Sequence, residues 1–121
     1  KCCRDACMAD GERIICASAE LLDGGAAVRF SIERHGVSEP AFAVRYQGMV
    51  YAYLNRCAHV PIELDWQEGQ FFDRSGLYLI CSSHGALYDP ASGHGLAGRC
   101  NGKGLTPLVV IERDGSIYLK Q

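Results

Sequence analysis

Two short stretches, Cys57-Ala58-His59 and Cys81-Ser82-Ser83-His84, each set a cysteine and a histidine close together, and 21 residues separate one pair from the other. Thiolate sulfur and imidazole nitrogen are the donors of zinc and of iron-sulfur iron, and either spacing lets one loop present both side chains to one site. If the pairs serve a common centre, the fold has to hold two loops side by side on a rigid base. Nucleophilic catalysis needs one such pair, so two equivalent pairs argue against it. At this level zinc bound by all four side chains and an iron-sulfur cluster both remain open.

The rest of the chain reads as the material for an all-β base. Fourteen glycines among 121 residues favour many tight turns over long helices. Residues 13–17 are a short apolar stretch, and Asp23-Gly24-Gly25 is a strong turn signal. In "AVRFSIER" Val28, Phe30 and Ile32 alternate with Arg29, Ser31 and Glu33, the period of a half-buried strand, which His35-Gly36 ends. "FAVRYQGMVYAYL" predicts two strands, about 42–46 and 50–54, joined at Gln47-Gly48. Phe71-Phe72 and residues 77–80 can pair across Asp73-Arg74-Ser75-Gly76, bringing Cys81 back toward Cys57. Residues 85–104 predict loops and short strands, and "LTPLVVIERDGSIYL" a closing hairpin on Asp114-Gly115. No stretch shows helical periodicity.

The length fits one domain with its own core. Net charge is -2, from 12 basic and 14 acidic residues, and no Lys/Arg cluster could track a phosphate backbone, so no nucleic-acid partner is expected. The apolar run at 108–111 falls far short of a membrane span and no signal segment opens the chain, so a soluble, cytoplasmic protein is expected. Lys1 rather than methionine comes first, which leaves room for an upstream segment. Seven cysteines is an odd number, better suited to ligands in a reducing compartment than to a disulfide framework. Cys2, Cys3 and Cys7 fall in an expected tail, residues 1–12, and Cys16 and Cys100 read as small buried hydrophobes.

The order C-x-H followed by C-x-x-H-G, carried by "CAH" and "CSSHG" and continued through "ALYDPASGHGLAGRCNGKGLTPL", resembles the Rieske signature. The likeness runs over roughly residues 13–121, and a Rieske-type ferredoxin is the family it indicates. It implies one 2Fe-2S cluster per chain, with Cys57 and Cys81 on the inner iron and His59 and His84 on the outer iron near the surface. It also implies a Rieske-like antiparallel β-sandwich from about 13–54 and 106–119, with an inserted cluster-binding lobe at about 55–105. The implied role is one-electron transfer from a reductase to an oxygenase or similar acceptor, with no bond chemistry by the protein itself. Ile62 and Ser83 stand where respiratory and photosynthetic members carry the two cysteines of a bracing disulfide, which places the chain in the disulfide-free branch.

Where the family pattern reads T-G-x-C-x-x-G-P-C the chain has "SGHGLAGRC", with Arg99 in place of the proline. His94 reads as a surface histidine in a turn rather than a further ligand, and His35 likewise. Between the pairs, Glu63, Asp65, Glu68 and Asp73 predict a solvated acidic face, with docking of a basic partner as its functional version. Val60, Pro61 and Gly85 predict an apolar collar around the histidines. The rival functions are a small electron-transfer subunit or input domain of a larger oxidoreductase, a structural zinc module, and a redox sensor acting through Cys2, Cys3 and Cys7.

High-potential relatives place a serine hydroxyl and a tyrosine hydroxyl near the cluster. Here the first position is Ala86, with no hydroxyl to favour the more negative reduced cluster, and the second is Tyr88. The expected midpoint is therefore roughly -150 to +50 mV, in the lower part of the Rieske range. A redox titration checks it, and Ala86→Ser is expected to move the midpoint upward.

Overall fold

A computed structural model describes residues 12–34, 36–56, 64–65, 69–81, 85–97 and 104–120. Over these residues the chain forms β1 (Glu12–Ala17), a single 3-10 turn at Ser18–Glu20, β2 (Val28–Arg34), β3 (Val37–Tyr46) and β4 (Met49–Leu54). Then come β5 (Leu79–Ile80), β6 (Leu87–Tyr88), β7 (Gly95–Ala97), β8 (Pro107–Leu108), β9 (Val110–Arg113) and β10 (Ser116–Lys120). Three sheets result, ordered β1-β10-β9, β2-β3-β4-β8 and β5-β6-β7, and every pairing between strands is antiparallel. The all-β expectation holds, and among the described residues no helix is long and apolar enough to cross a membrane.

Two hairpins close on the two-residue turns their sequences announce. Gln47 and Gly48 have φ of 50° and 83°, and Asp114 and Gly115 have φ of 54° and 77°. Successive positive φ values are those of a type I′ turn, whose twist matches paired strands. The first of these turns is braced from outside: Asp23 accepts from the Gln47 N–H at 2.6 Å and the Gly48 N–H at 2.7 Å.

β3 is longer than its alternation suggests, starting at Val37 and running through Pro40 rather than starting near Phe42. Proline in a central strand lacks one ladder donor. Here that gap falls at the end of the β3–β4 ladder, whose last pair is Ala41 with Leu54. The Pro40 carbonyl accepts from the Asn55 N–H at 2.9 Å, and proline has no N–H to return. Pairing stops there, and the chain departs at Asn55 toward the first cysteine–histidine pair. The returning chain arrives beside the departure point, because the Leu54 N–H donates to the Thr106 carbonyl at 3.0 Å.

The second sheet is buried on both faces. Ala41, Ala43, Ala52 and Leu54 point toward the first sheet, where they meet Cys16, Ile117 and Leu119. Phe42, Val44 and Tyr53 point the other way, into a core with Leu64, Phe71, Leu79, Cys81, Ala86, Tyr88 and Leu105. Phe42 and Phe71 stack with centroids 3.8 Å apart. A buried phenylalanine truncated to alanine costs about 3–5 kcal/mol, against about 0–1 kcal/mol for a surface ion pair. Apolar packing on this second face, not charge, is what holds the third sheet to the sandwich.

Arg45, near the end of β3, ties the second sheet to edge strand β9 of the first. Its five donors all find acceptors: the carbonyls of Leu21, Gly48 and Ser18, and both carboxylate oxygens of Glu112. The planar fork suits this two-point grip on a carboxylate. Arg45 holds the Glu112 carboxyl below its ordinary value of 4.5, first by hydrogen bonding and then by charge. The unfolded chain then takes up this proton before the folded one does, so the pair's contribution is complete above pH 4.5 and is lost as pH falls through the folded value. Urea denaturation at neutral pH and well below pH 4.5 is expected to show a smaller acid loss of stability for Glu112→Gln than for the parent.

Candidate functional site

The third sheet and the segment leading into it carry Cys81, Ala86 and Tyr88, three of the residues that the sequence marks out. Cys81 is the member of the expected ligand set that lies among the described residues; Cys57, His59 and His84 lie outside them. So do Val60, Pro61, Ile62, Ser83, Arg99, Cys100, His35 and the early Cys2, Cys3 and Cys7. Among the described residues no group of three or more His, Cys, Asp or Glu could hold a metal, as follows when one ligand of four is among them.

Cys81 is fully buried in the core shared with Phe71, Leu79, Ala86 and Tyr88. Its position is set from both sides. On one side a hairpin returns the chain: Phe72 bridges Leu79, the Asp73 N–H donates to the Tyr78 carbonyl at 2.9 Å, and the Ile80 N–H donates to the Phe71 carbonyl at 2.9 Å. The tip is the expected turn, with the Gly76 N–H on the Asp73 carbonyl at 3.0 Å and Gly76 at φ 74°. On the other side the Cys81 N–H donates to the Ala86 carbonyl at 2.9 Å and the Gly85 N–H to the Cys81 carbonyl at 2.7 Å. These two bonds close a tight loop that begins at a buried residue, Cys81, and reaches an exposed one, Gly85, whose φ of 74° suits glycine.

This arrangement fits a metal-bound thiolate. A sulfur surrounded by apolar side chains carries a negative charge at high cost unless a cation lies against it. Ala86 and Tyr88, the two positions expected to tune a bound group, are both fully buried in the same cluster as Cys81.

Asn55 and Asp65, on either side of residues 56–63, are joined by buried polar contacts that sequence reasoning did not foresee. Asn55 is 1% exposed; its side-chain carbonyl accepts from the Leu64 N–H at 2.8 Å, and its amide donates to Asp65 Oδ1 at 2.9 Å. The other oxygen, Asp65 Oδ2, accepts from the Gly69 N–H at 3.0 Å and lies 3.2 Å from Arg29 Nε on β2. The expected acidic face therefore has to be corrected at Asp65. The Asp65 side chain is completely buried and committed inside the molecule, where Arg29 and two hydrogen-bond donors, the Asn55 amide and the Gly69 N–H, compensate its charge. Asp73 is half-buried and accepts from Ser75 within its own turn, while Glu63 and Glu68 lie outside the described residues.

A third loop is anchored against β4. The buried Tyr53 hydroxyl donates to the Pro90 carbonyl at 2.6 Å, and burial pushes its ionisation upward. Gly93 lies against that ring at φ 77°, and a Cβ there would sit 2.7 Å from Tyr53 Cε1. The Gly93 carbonyl accepts from the Leu105 N–H at 2.8 Å, closing the loop. His94 is exposed at this turn, as its sequence context predicts. Cys16 is 8% exposed on β1, its thiol pushed up to about 11 chiefly by burial, in keeping with a packed hydrophobe.

Comparison with known proteins gives a family and a fold. The family model described as Rieske [2Fe-2S] domain matches residues 12–118. Among solved structures, the ferredoxin of carbazole 1,9a-dioxygenase from Nocardioides aromaticivorans IC177 is similar at 22% identity and a TM-score of 0.67, covering 90% of this chain and 96% of that one. The Sphingomonas yanoikuyae B1 ferredoxin is similar at 21% identity and a TM-score of 0.69, covering 91% and 98%. A chain of the complex of reduced oxygenase and oxidized ferredoxin in carbazole 1,9a-dioxygenase is similar at 21% identity and a TM-score of 0.70, covering 92% and 94%. At these identities the likeness establishes the shared fold. No curated protein matches this sequence. A family model spanning residues 12–118, on a fold shared with solved ferredoxins, shows that this chain belongs to the Rieske [2Fe-2S] domain family.

Proposed function

We propose that the chain is a one-electron carrier, with Cys57 and Cys81 holding one iron of its 2Fe-2S cluster and His59 and His84 the other, between a reductase and an oxygenase-type acceptor. The observation that carries this reading is Cys81, fully buried in an apolar core at the base of a loop closed by two backbone hydrogen bonds. When bound, the cluster supplies a one-electron couple. The protein's part is to hold thiolates in the core, keep water from them, and offer the imidazoles as the exit. Passage from buried Cys81 to exposed Gly85 supports that division between core-side sulfur and surface-side nitrogen. An oxygenase acceptor is supported by the similar chain from an oxygenase–ferredoxin complex.

Nothing in the reading assigns the chain a catalytic residue. A cytoplasmic location agrees with a reducing compartment for the thiolates. The zinc-module rival loses its ground once the family is that of the 2Fe-2S domain, whose ligands divide between two irons.

Electron paramagnetic resonance of the dithionite-reduced protein, with iron, sulfide and zinc analysis, tests the proposal. A rhombic signal of low average g value is expected, with iron and sulfide in equal amounts, and Cys81→Ser is expected to abolish it. A colourless, silent protein holding zinc would overturn the reading.

A further inference from the structure

Asp65 is a carboxylate without solvent contact, and no redox or proton-transfer role falls to it. A buried ion costs several kcal/mol to desolvate, and an apolar pair of the same volume would hold a core at least as well. What an apolar pair cannot do is fix the register of a loop, since hydrogen bonds are directional and hydrophobic contact is not. The bonds made by Asn55 and Asp65 are placed for that purpose.

Asn55 sits where β4 releases the chain, and its backbone N–H is already committed to the Pro40 carbonyl. Its side chain reaches across the base of the first ligand loop to the Leu64 N–H and to Asp65, joining points nine and ten residues apart in sequence. Asp65 then binds the Gly69 N–H, at the start of the hairpin that leads to Cys81, and Arg29 on the edge strand. Leu64, between the two polar residues, is fully buried in the same core as Cys81 and Phe71. One buried group of atoms thus contacts the sandwich, both ends of the first ligand loop, and the approach to the second.

From this juxtaposition we infer that Asn55 and Asp65 form a clasp whose two side chains are positioning residues, setting the Cys57–His59 loop relative to Cys81 by hydrogen-bond geometry rather than by charge. The inference rests on the ligand assignment made above. Asn55 carries no charge, so its removal acts through the loop alone, whereas neutralising Asp65 also changes the charge facing Arg29. Supporting groups behind metal ligands typically change metal affinity by 10–100-fold when removed.

The test compares the whole protein with Asp65→Asn, Asn55→Ala and the remote Glu112→Gln. Three readings are taken: the g values of the reduced cluster, its midpoint potential, and the rate of iron loss to a chelator. Asp65→Asn and Asn55→Ala are each expected to shift the g values and the midpoint and to release iron on the order of 10-fold faster. Glu112→Gln is expected to lose less stability on acidification than the parent without moving any of the three. Should Asp65→Asn fail to fold, the charge-neutral Asn55→Ala carries the test alone. Unchanged g values and iron retention in Asn55→Ala overturn the clasp, as does an effect confined to Asp65→Asn, which would mark a charge effect. A parent protein with no cluster signal overturns the ligand assignment and the clasp with it, a failure visible before any variant is made.

Discussion

The middle sheet has to satisfy two cores at once, and the remainder of the molecule is arranged around that demand. Four consecutive residues of β3, from Ala41 to Val44, are completely buried, with alternate side chains turned to opposite faces. Alanines on one face let the first sheet approach closely. Aromatic rings on the other give the third sheet a broad apolar floor, with Tyr53 opposite Phe42 across the β3–β4 pair. Interiors packed to crystal density do not absorb changes of size cheaply. Small on one side and large on the other is therefore a division of labour: the alanine face builds the base, and the aromatic face carries the third sheet.

Polar groups then decide where the apolar floor gives way to loops. A proline that cannot return a hydrogen bond ends the ladder, an asparagine takes up the freed end, and a carboxylate receives the donors of the segment beyond. Tyr53 does the same for the third loop with a single hydroxyl aimed at the Pro90 carbonyl. In each case a buried polar atom has a matched partner, which is the condition under which burial of such atoms is tolerated. The order of these residues along the chain gives the loops their stems before any metal is considered.

Local signals made much of this legible from residues alone. Gln47-Gly48, Asp114-Gly115 and Asp73 to Gly76 announced their turns because positive φ and side-chain capping are properties of those few residues. The Rieske resemblance of the two cysteine–histidine pairs gave the family, and the family model agrees. What the residues concealed was long-range. In Ala41-Phe42-Ala43-Val44 the alternation suggests one buried face, because alanine is compatible with either environment, and only the arrival of a second layer buries both. Asp65 reads as solvent-facing because its compensating cation, Arg29, comes from a distant strand. Pro40 argues against a strand unless the neighbouring strand is known to end beside it.

The hairpin between the ligand pairs has a bearing on how such sequences are compared. Its base is pinned by the Phe71–Ile80 hydrogen bond, its strands pair with each other, and its tip projects away from that base. Adding or deleting residues in opposed pairs near the tip would leave both the pinned base and Cys81 where they are, and extra loop length costs little. The part of the interval between the two motifs that runs from Phe71 to Ile80 can then vary in length without moving the buried residues on either side of it. A search that fixes this interval would sort members of the family by the height of this hairpin, whereas one that lets it vary while holding the asparagine before the first pair and the apolar–acid step after it would follow the stem.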